Sequence, residues 1–137
     1  MNPNRLIKTF CDLVRIDSPS GQESDVAKYI AGELQKMGIC SDIDPDGNLF
    51  AKVEGTHDPI LLCAHMDTVE PGKNIKPLLE DGFVKSSGDT ILGADNKASI
   101  AAILEALATV PPTKRKSIEL LFTTREETDG GVKGFIC

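Results

Sequence analysis

Apolar positions early in the chain recur at three- and four-residue intervals. Leu6, Ile7, Phe10, Cys11, Leu13 and Val14 form one stripe, which predicts a helix over residues 3–14. Pro3 suits a first helical turn, where a missing N–H is no loss. Asp17, Ser18, Pro19, Ser20 and Gly21 then make a turn cluster. Val26, Ala27, Ile30, Leu34 and Met37 mark the buried face of a second helix. Ser20, with Glu23 three residues on, predicts a capping box at its start, and Gly38 a left-handed cap at its end.

The period then shortens. Asp42-Ile43 and residues 48–53 predict two strands flanking the turn Pro45-Asp46-Gly47. Ile60, Leu61, Leu62, Cys63 and Ala64 form an unbroken apolar run that stops at His65, and Asp67 follows two positions later. Such a run predicts a strand buried on both faces. Residues 69–93 are long and irregular, with a small hairpin expected across Asp81-Gly82. Ile100, Ala101, Ile103, Leu104, Leu107 and Ala108 predict a third helix, opened by residues 92–97 and ended by Pro111-Pro112. Residues 117–123 are another β-prone run, Glu126-Glu127 lies just beyond it, and residues 132–137 begin a further helical pattern. Alternation of strands and helices after Asp58 predicts an α/β fold with helical crossovers.

Composition narrows the class. The chain has 137 residues, enough for one domain with its own core. Its formal net charge of -6, with only the short Lys114-Arg115-Lys116 turn as a basic cluster, speaks against a nucleic-acid partner. No apolar run approaches the roughly 18–20 residues of a spanning helix, so no membrane segment is expected. Cys11, Cys40, Cys63 and Cys137 include no C-x-x-C pair, and Cys11 and Cys63 fall on apolar stripes as small hydrophobes. This usage predicts reduced thiols and a cytoplasmic setting.

The candidate chemistry lies where apolar runs stop. His65 and Asp67 leave the carboxyl end of a strand, the edge where open α/β sheets bind ligands. A carboxylate beside an imidazole can fix its tautomer and free the other nitrogen for a metal. Asp95 stands at a helix start, where it could cap free N–H groups or bridge two metal ions. Of the adjacent glutamates Glu126 and Glu127, one could bind metal while the other handles a proton. His57, in a polar turn before Pro59, reads as an exposed histidine.

Four stretches occur in order: Ser18-Pro19-Ser20-Gly21-Gln22-Glu23, His65-Met66-Asp67-Thr68-Val69, Gly93-Ala94-Asp95-Asn96-Lys97-Ala98 and Phe122-Thr123-Thr124-Arg125-Glu126-Glu127. Together they resemble the N-terminal half of the catalytic domain of the co-catalytic dinuclear-zinc exopeptidases. That family includes peptidase T, aminoacylase-related carboxypeptidases and succinyl-diaminopimelate desuccinylase. Val69-Glu70-Pro71-Gly72, with the segments up to Asp95, most resembles the peptidase T-like, tripeptidase branch. The resemblance implies a three-layer sheet with helices on both faces, incomplete at the C-terminus. Residues 1–137 would then be the N-terminal part of a metallopeptidase domain, without the lid and dimerisation domain and without the C-terminal part.

Residue by residue, the resemblance implies that His65, Asp95 and Glu127 are metal ligands. Asp95 would bridge two zinc ions, and a cis bond would join Asp95 to Asn96. Asp67 would orient His65, and Glu126 would be the general base that takes a proton from water. The substrate would be a short peptide cleaved near a free terminus. With ligands expected from beyond this chain, weak metal binding and little activity are predicted for it alone. A non-catalytic remnant acting by association, with itself or with a complementary fragment, is the alternative. A fragment of a carboxypeptidase or desuccinylase relative is another.

Overall fold

The computed structural model describes residues 1–128 and 130. In chain order it contains α1 (Pro3–Val14), α2 (Ser24–Lys36), β1 (Ser41–Ile43), β2 (Leu49–Val53), β3 (Ile60–His65), β4 (Pro77–Glu80), β5 (Phe83–Ser86), α3 (Ala94–Thr109) and β6 (Ile118–Thr123). Short 3₁₀ turns follow at Pro112–Lys114 and Glu126–Thr128. The helix expected from Val132 lies outside the described residues. Among the described residues no helix is long and apolar enough to cross a membrane.

The helices begin and end for local reasons, with one exception. Asn2 caps α1, its side-chain oxygen accepting from the Arg5 N–H at 3.2 Å. Gly38 adopts φ 75° after α2, and the N–H groups of Gly38 and Ile39 reach back to the carbonyls of Gln35 and Leu34. The capping box expected at the start of α2 does not form. No side chain caps that helix, because Ser20 and Glu23 bond to segments far along the chain instead.

Four strands make a mixed sheet in the order β1-β2-β6-β3. β1 with β2 and β2 with β6 are antiparallel, whereas β3 with β6 is parallel. The register sets Leu49 against Phe122, Ala51 against Leu120 and Val53 against Ile118, while Leu62 and Ala64 of β3 oppose Leu120 and Phe122. Alternate residues share a face, so these positions line one side of the sheet. They join Leu13 of α1, Val26, Ile30 and Leu34 of α2, and Ile100, Ala101 and Leu104 of α3 in one core. The fold is therefore α/β, with the described helices gathered on this face.

Three expectations need correction. β3 is not buried on both faces: Leu61 is 58% exposed and Cys63 is exposed as well. As an edge strand, β3 pairs only with β6 among the described residues, and only Ala64 and His65 at its end are buried. Cys63 therefore packs in no apolar stripe. On α3, Ala108 is exposed while Lys97 and Glu105 are buried.

Glu105 is buried because it has partners. It accepts from Arg5 Nε at 2.6 Å, the Asn2 N–H at 2.5 Å and Thr109 Oγ1 at 2.9 Å, which ties the start of α1 to the last turns of α3. The Arg5 hydrogen bond, then the Asn2 N–H, hold the Glu105 carboxyl down at about 2. The β4–β5 hairpin turns where expected. Asp81 and Gly82 both take positive φ, 52° and 82°, as a tight two-residue hairpin turn requires.

Candidate metal centre

Topology brings the candidate residues to one edge. β3 and β6 run parallel with His65 opposite Thr123, so the chain leaves both strands at the same end of the sheet. The crossover between them starts α3 at that end, which carries Asp95 back to His65. The Asp95–Asn96 bond is cis, and both residues depart from helical geometry inside the first turn of α3.

The segment between α1 and α2 straps this edge. Ser18 Oγ donates to the Met66 carbonyl at 2.9 Å, and the Thr68 N–H donates to the Ser18 carbonyl at 3.0 Å. Met66 N–H in turn donates to the Thr123 carbonyl at 2.8 Å, which continues the β3–β6 ladder beyond the strand. The short stretch carrying His65 and Asp67 is thereby held from two sides.

His65 is 7% exposed. Its Nδ1 lies 3.0 Å from the backbone carbonyl of Asp67 and 3.4 Å from that residue's Oδ1. A carbonyl only accepts, so in the neutral ring Nδ1 carries the proton and Nε2 presents a lone pair. Nε2 faces Asp95 Oδ1 at 3.0 Å and Glu126 Oε2 at 3.9 Å. An imidazole lone pair and a carboxylate oxygen this close require a proton or a cation between them. Ligand atoms of His65, Asp95 and Glu127 all lie within 4.8 Å of one another. One imidazole with carboxylates is a zinc-type donor set, so the residues present fit the metal that the sequence resemblance implies. The Asp95 side chain is 84% exposed, which leaves this cluster open to solvent on one side.

Asp67 is fully buried, and its carboxylate, with Oδ1 3.4 Å from the imidazole, takes its hydrogen bonds from elsewhere. Oδ1 accepts from the Glu126 N–H at 3.0 Å, and Oδ2 accepts from the Glu127 N–H at 3.1 Å and from Ser20 Oγ at 2.6 Å. Asp67 thus touches the ring chiefly through its main chain, while its side chain fixes the backbone of the two glutamates. His57 is exposed and stands outside the converging group; its carbonyl accepts the Ser117 N–H.

Sequence reasoning passed over several supporting residues. Lys97 is fully buried and donates from Nζ to the Ile16 carbonyl at 2.7 Å. Burial pulls its ammonium down to about 8, opposed by the charge of Asp17. Its signal was present: Lys97 falls on the apolar stripe of α3, one turn before Ile100 and Ala101. Asn48 Oδ1 accepts the Thr124 N–H at 2.9 Å and so sets the exit from β6. Nothing in the spacing of Asn48 distinguishes it from an ordinary turn asparagine.

Residues 61–137 match the profile of Peptidase family M20/M25/M40. The uncharacterized protein YqjE of Bacillus subtilis is 37% identical over 93% of this chain and 38% of its own length. The crystal structure of the aminopeptidase PepT from Bacillus cereus superposes with a TM-score of 0.85 at 34% identity, covering 93% of this chain and 38% of that one. A Staphylococcus aureus tripeptidase superposes with a TM-score of 0.84 at 34% identity, with the same coverage of 93% and 38%. The chain thus spans well under half the length of these relatives.

Proposed function

This chain belongs to Peptidase family M20/M25/M40, and from that premise we propose that it carries part of a zinc-dependent exopeptidase site acting on short peptides near a free terminus. The observation that carries the reading is the convergence of His65, Asp95 and Glu127, with ligand atoms within 4.8 Å of one another. The likeness to an aminopeptidase and a tripeptidase, each at 34% identity, favours tripeptides as substrates over the amides cleaved by carboxypeptidase or desuccinylase relatives. The three cysteines among the described residues are free, which supports a reducing, cytoplasmic setting.

His65 and Asp95 would hold one zinc, and Asp95 and Glu127 a second. When bound, zinc would polarise the scissile carbonyl and lower the pKa of water. Glu126 is the base: its carboxylate is 57% exposed and stands 3.9 Å from His65 Nε2, beside the ligands but free to take a proton. It receives the proton of the attacking water and returns it to the amine nitrogen as the C–N bond breaks. Asp67 keeps Glu126 and Glu127 in place through their N–H groups.

Among the described residues, two protein donors per ion fall short of the three usual for catalytic zinc. That shortfall favours a second reading, in which the chain acts only by association, with another copy or with a complementary polypeptide. Calorimetric titration with zinc, paired with a tripeptide hydrolysis assay, separates the two. Stoichiometric binding, with turnover that Glu126→Gln abolishes, supports the exopeptidase. Absence of both binding and turnover at saturating metal overturns it and leaves association.

A further inference from the structure

We infer that Glu23 is a positioning residue for this centre: its buried carboxylate fixes the turn that presents Glu126 and Glu127. The inference rests on the metal reading above for its consequence, and on geometry alone for its cause. Glu23 is 4% exposed although its side chain is polar. It stands where α2 begins, yet it makes no capping bond to that helix. Its Oε1 accepts instead from the Gly21 N–H at 2.7 Å and from the Arg125 N–H at 2.9 Å, a partner 102 residues away.

The Arg125 contact completes a row. Three successive main-chain N–H groups, of Arg125, Glu126 and Glu127, each donate to a buried carboxylate, the first to Glu23 and the next two to Asp67. Arg125 itself takes φ 55°, a left-handed conformation that a non-glycine residue adopts only when held. Glu23 supplies that hold one residue before the two functional glutamates. The neighbouring strap fits the arrangement. Gly21 takes φ 88°, the left-handed region that favours glycine, while a Cβ there would meet Arg125 Nε at an ordinary contact distance of 3.5 Å, so backbone conformation rather than space asks for glycine at this point of the strap. On that strap Ser20 Oγ donates to Asp67 and the next residue, Gly21, donates its N–H to Glu23, so neighbouring strap residues serve both carboxylates. Buried carboxylates bonded to backbone N–H groups make strong, directional contacts, and their loss loosens whatever the backbone carries.

The test uses Glu23→Ala, Glu23→Asp and Glu23→Gln in the full chain. NMR-detected hydrogen exchange without metal reads the cause. Alanine removes the acceptor and aspartate withdraws it by one methylene, so protection at the 125, 126 and 127 amides should fall about tenfold or more. Glutamine keeps an oxygen in place and should retain most of that protection. Zinc calorimetry reads the consequence, with roughly 10–100-fold weaker binding for alanine and aspartate and near-native binding for glutamine. If alanine prevents folding, aspartate carries the test. Unchanged protection at the 126 and 127 amides in a folded alanine or aspartate variant overturns the inference. A wild-type chain that binds no zinc overturns the metal reading instead, and the exchange result still decides the role of Glu23.

Discussion

Replacing Asp67 with asparagine keeps the shape of the side chain and removes one acceptor. The native carboxylate accepts from the N–H groups of Glu126 and Glu127 at 3.0 and 3.1 Å and from Ser20 Oγ at 2.6 Å, with no exposure to solvent. An amide offers one oxygen and one NH₂, so either the Glu126 or the Glu127 N–H must face a donor. The Ser20 hydroxyl can turn and accept from the new NH₂, which limits the damage to one main-chain bond. Losing a charge-assisted bond and stranding its donor costs about 1–3 kcal/mol. That is a large fraction of a domain stability of roughly 5–15 kcal/mol. Urea denaturation should show a lower midpoint with an unchanged slope. Zinc binding should weaken roughly 10–100-fold, because the backbone of the proposed ligand Glu127 or of its neighbour Glu126 has been released. The His65 Nδ1–H resonance should persist, since the Asp67 carbonyl at 3.0 Å holds that proton and is unaltered. Native midpoint and native zinc affinity together would refute the reasoning. Loss of the Nδ1–H resonance would show that the carboxylate, not the carbonyl, orients the ring.

Three further outcomes follow from the same geometry. Glu127→Gln should weaken zinc binding, whereas Glu126→Gln should leave binding in place and remove turnover wherever the native protein shows it; calorimetry and a tripeptide assay distinguish the two. The Glu105 carboxyl sits at about 2 in the folded chain against an ordinary 4.5, held there first by Arg5. Its contribution is therefore present above the ordinary value and is lost as pH falls toward the folded one, so Glu105→Gln should flatten the acid limb of a stability–pH curve between those values. Phe122 is fully buried at the centre of the core, and Phe122→Ala should cost about 3–5 kcal/mol, read as a lower denaturation midpoint.

Periodicity along the chain was enough to place the elements. α1 spans Pro3–Val14 as the stripe from Leu6 to Val14 demands, and the hairpin turns at Asp81-Gly82 where two residues able to adopt positive φ adjoin. These are local signals, written in neighbouring residues and independent of what packs against them. The candidate ligands were legible for a related reason. His65, Asp95, Glu126 and Glu127 follow apolar runs or open a helix, the positions that sheet topology gathers at one edge.

Other features depended on partners the local pattern does not contain. Ser20 and Glu23 have the spacing of a capping box, but a hydroxyl and a carboxylate serve equally well as long-range partners. The competition went to Asp67 and to Arg125, 47 and 102 residues away. The run from Ile60 to Ala64 reads as doubly buried, yet Leu61 and Cys63 alternate onto the face of the edge strand opposite the described helices and stay exposed. Lys97 and Glu105 entered the interior because Ile16 and Arg5 supply what each charge needs. The sequence alone thus determined the helices, the strands and which residues could bear chemistry. Tertiary structure decided which of them meet. Hydrophobic period is a property of a segment, whereas a hydrogen bond or an ion pair is a property of two places at once.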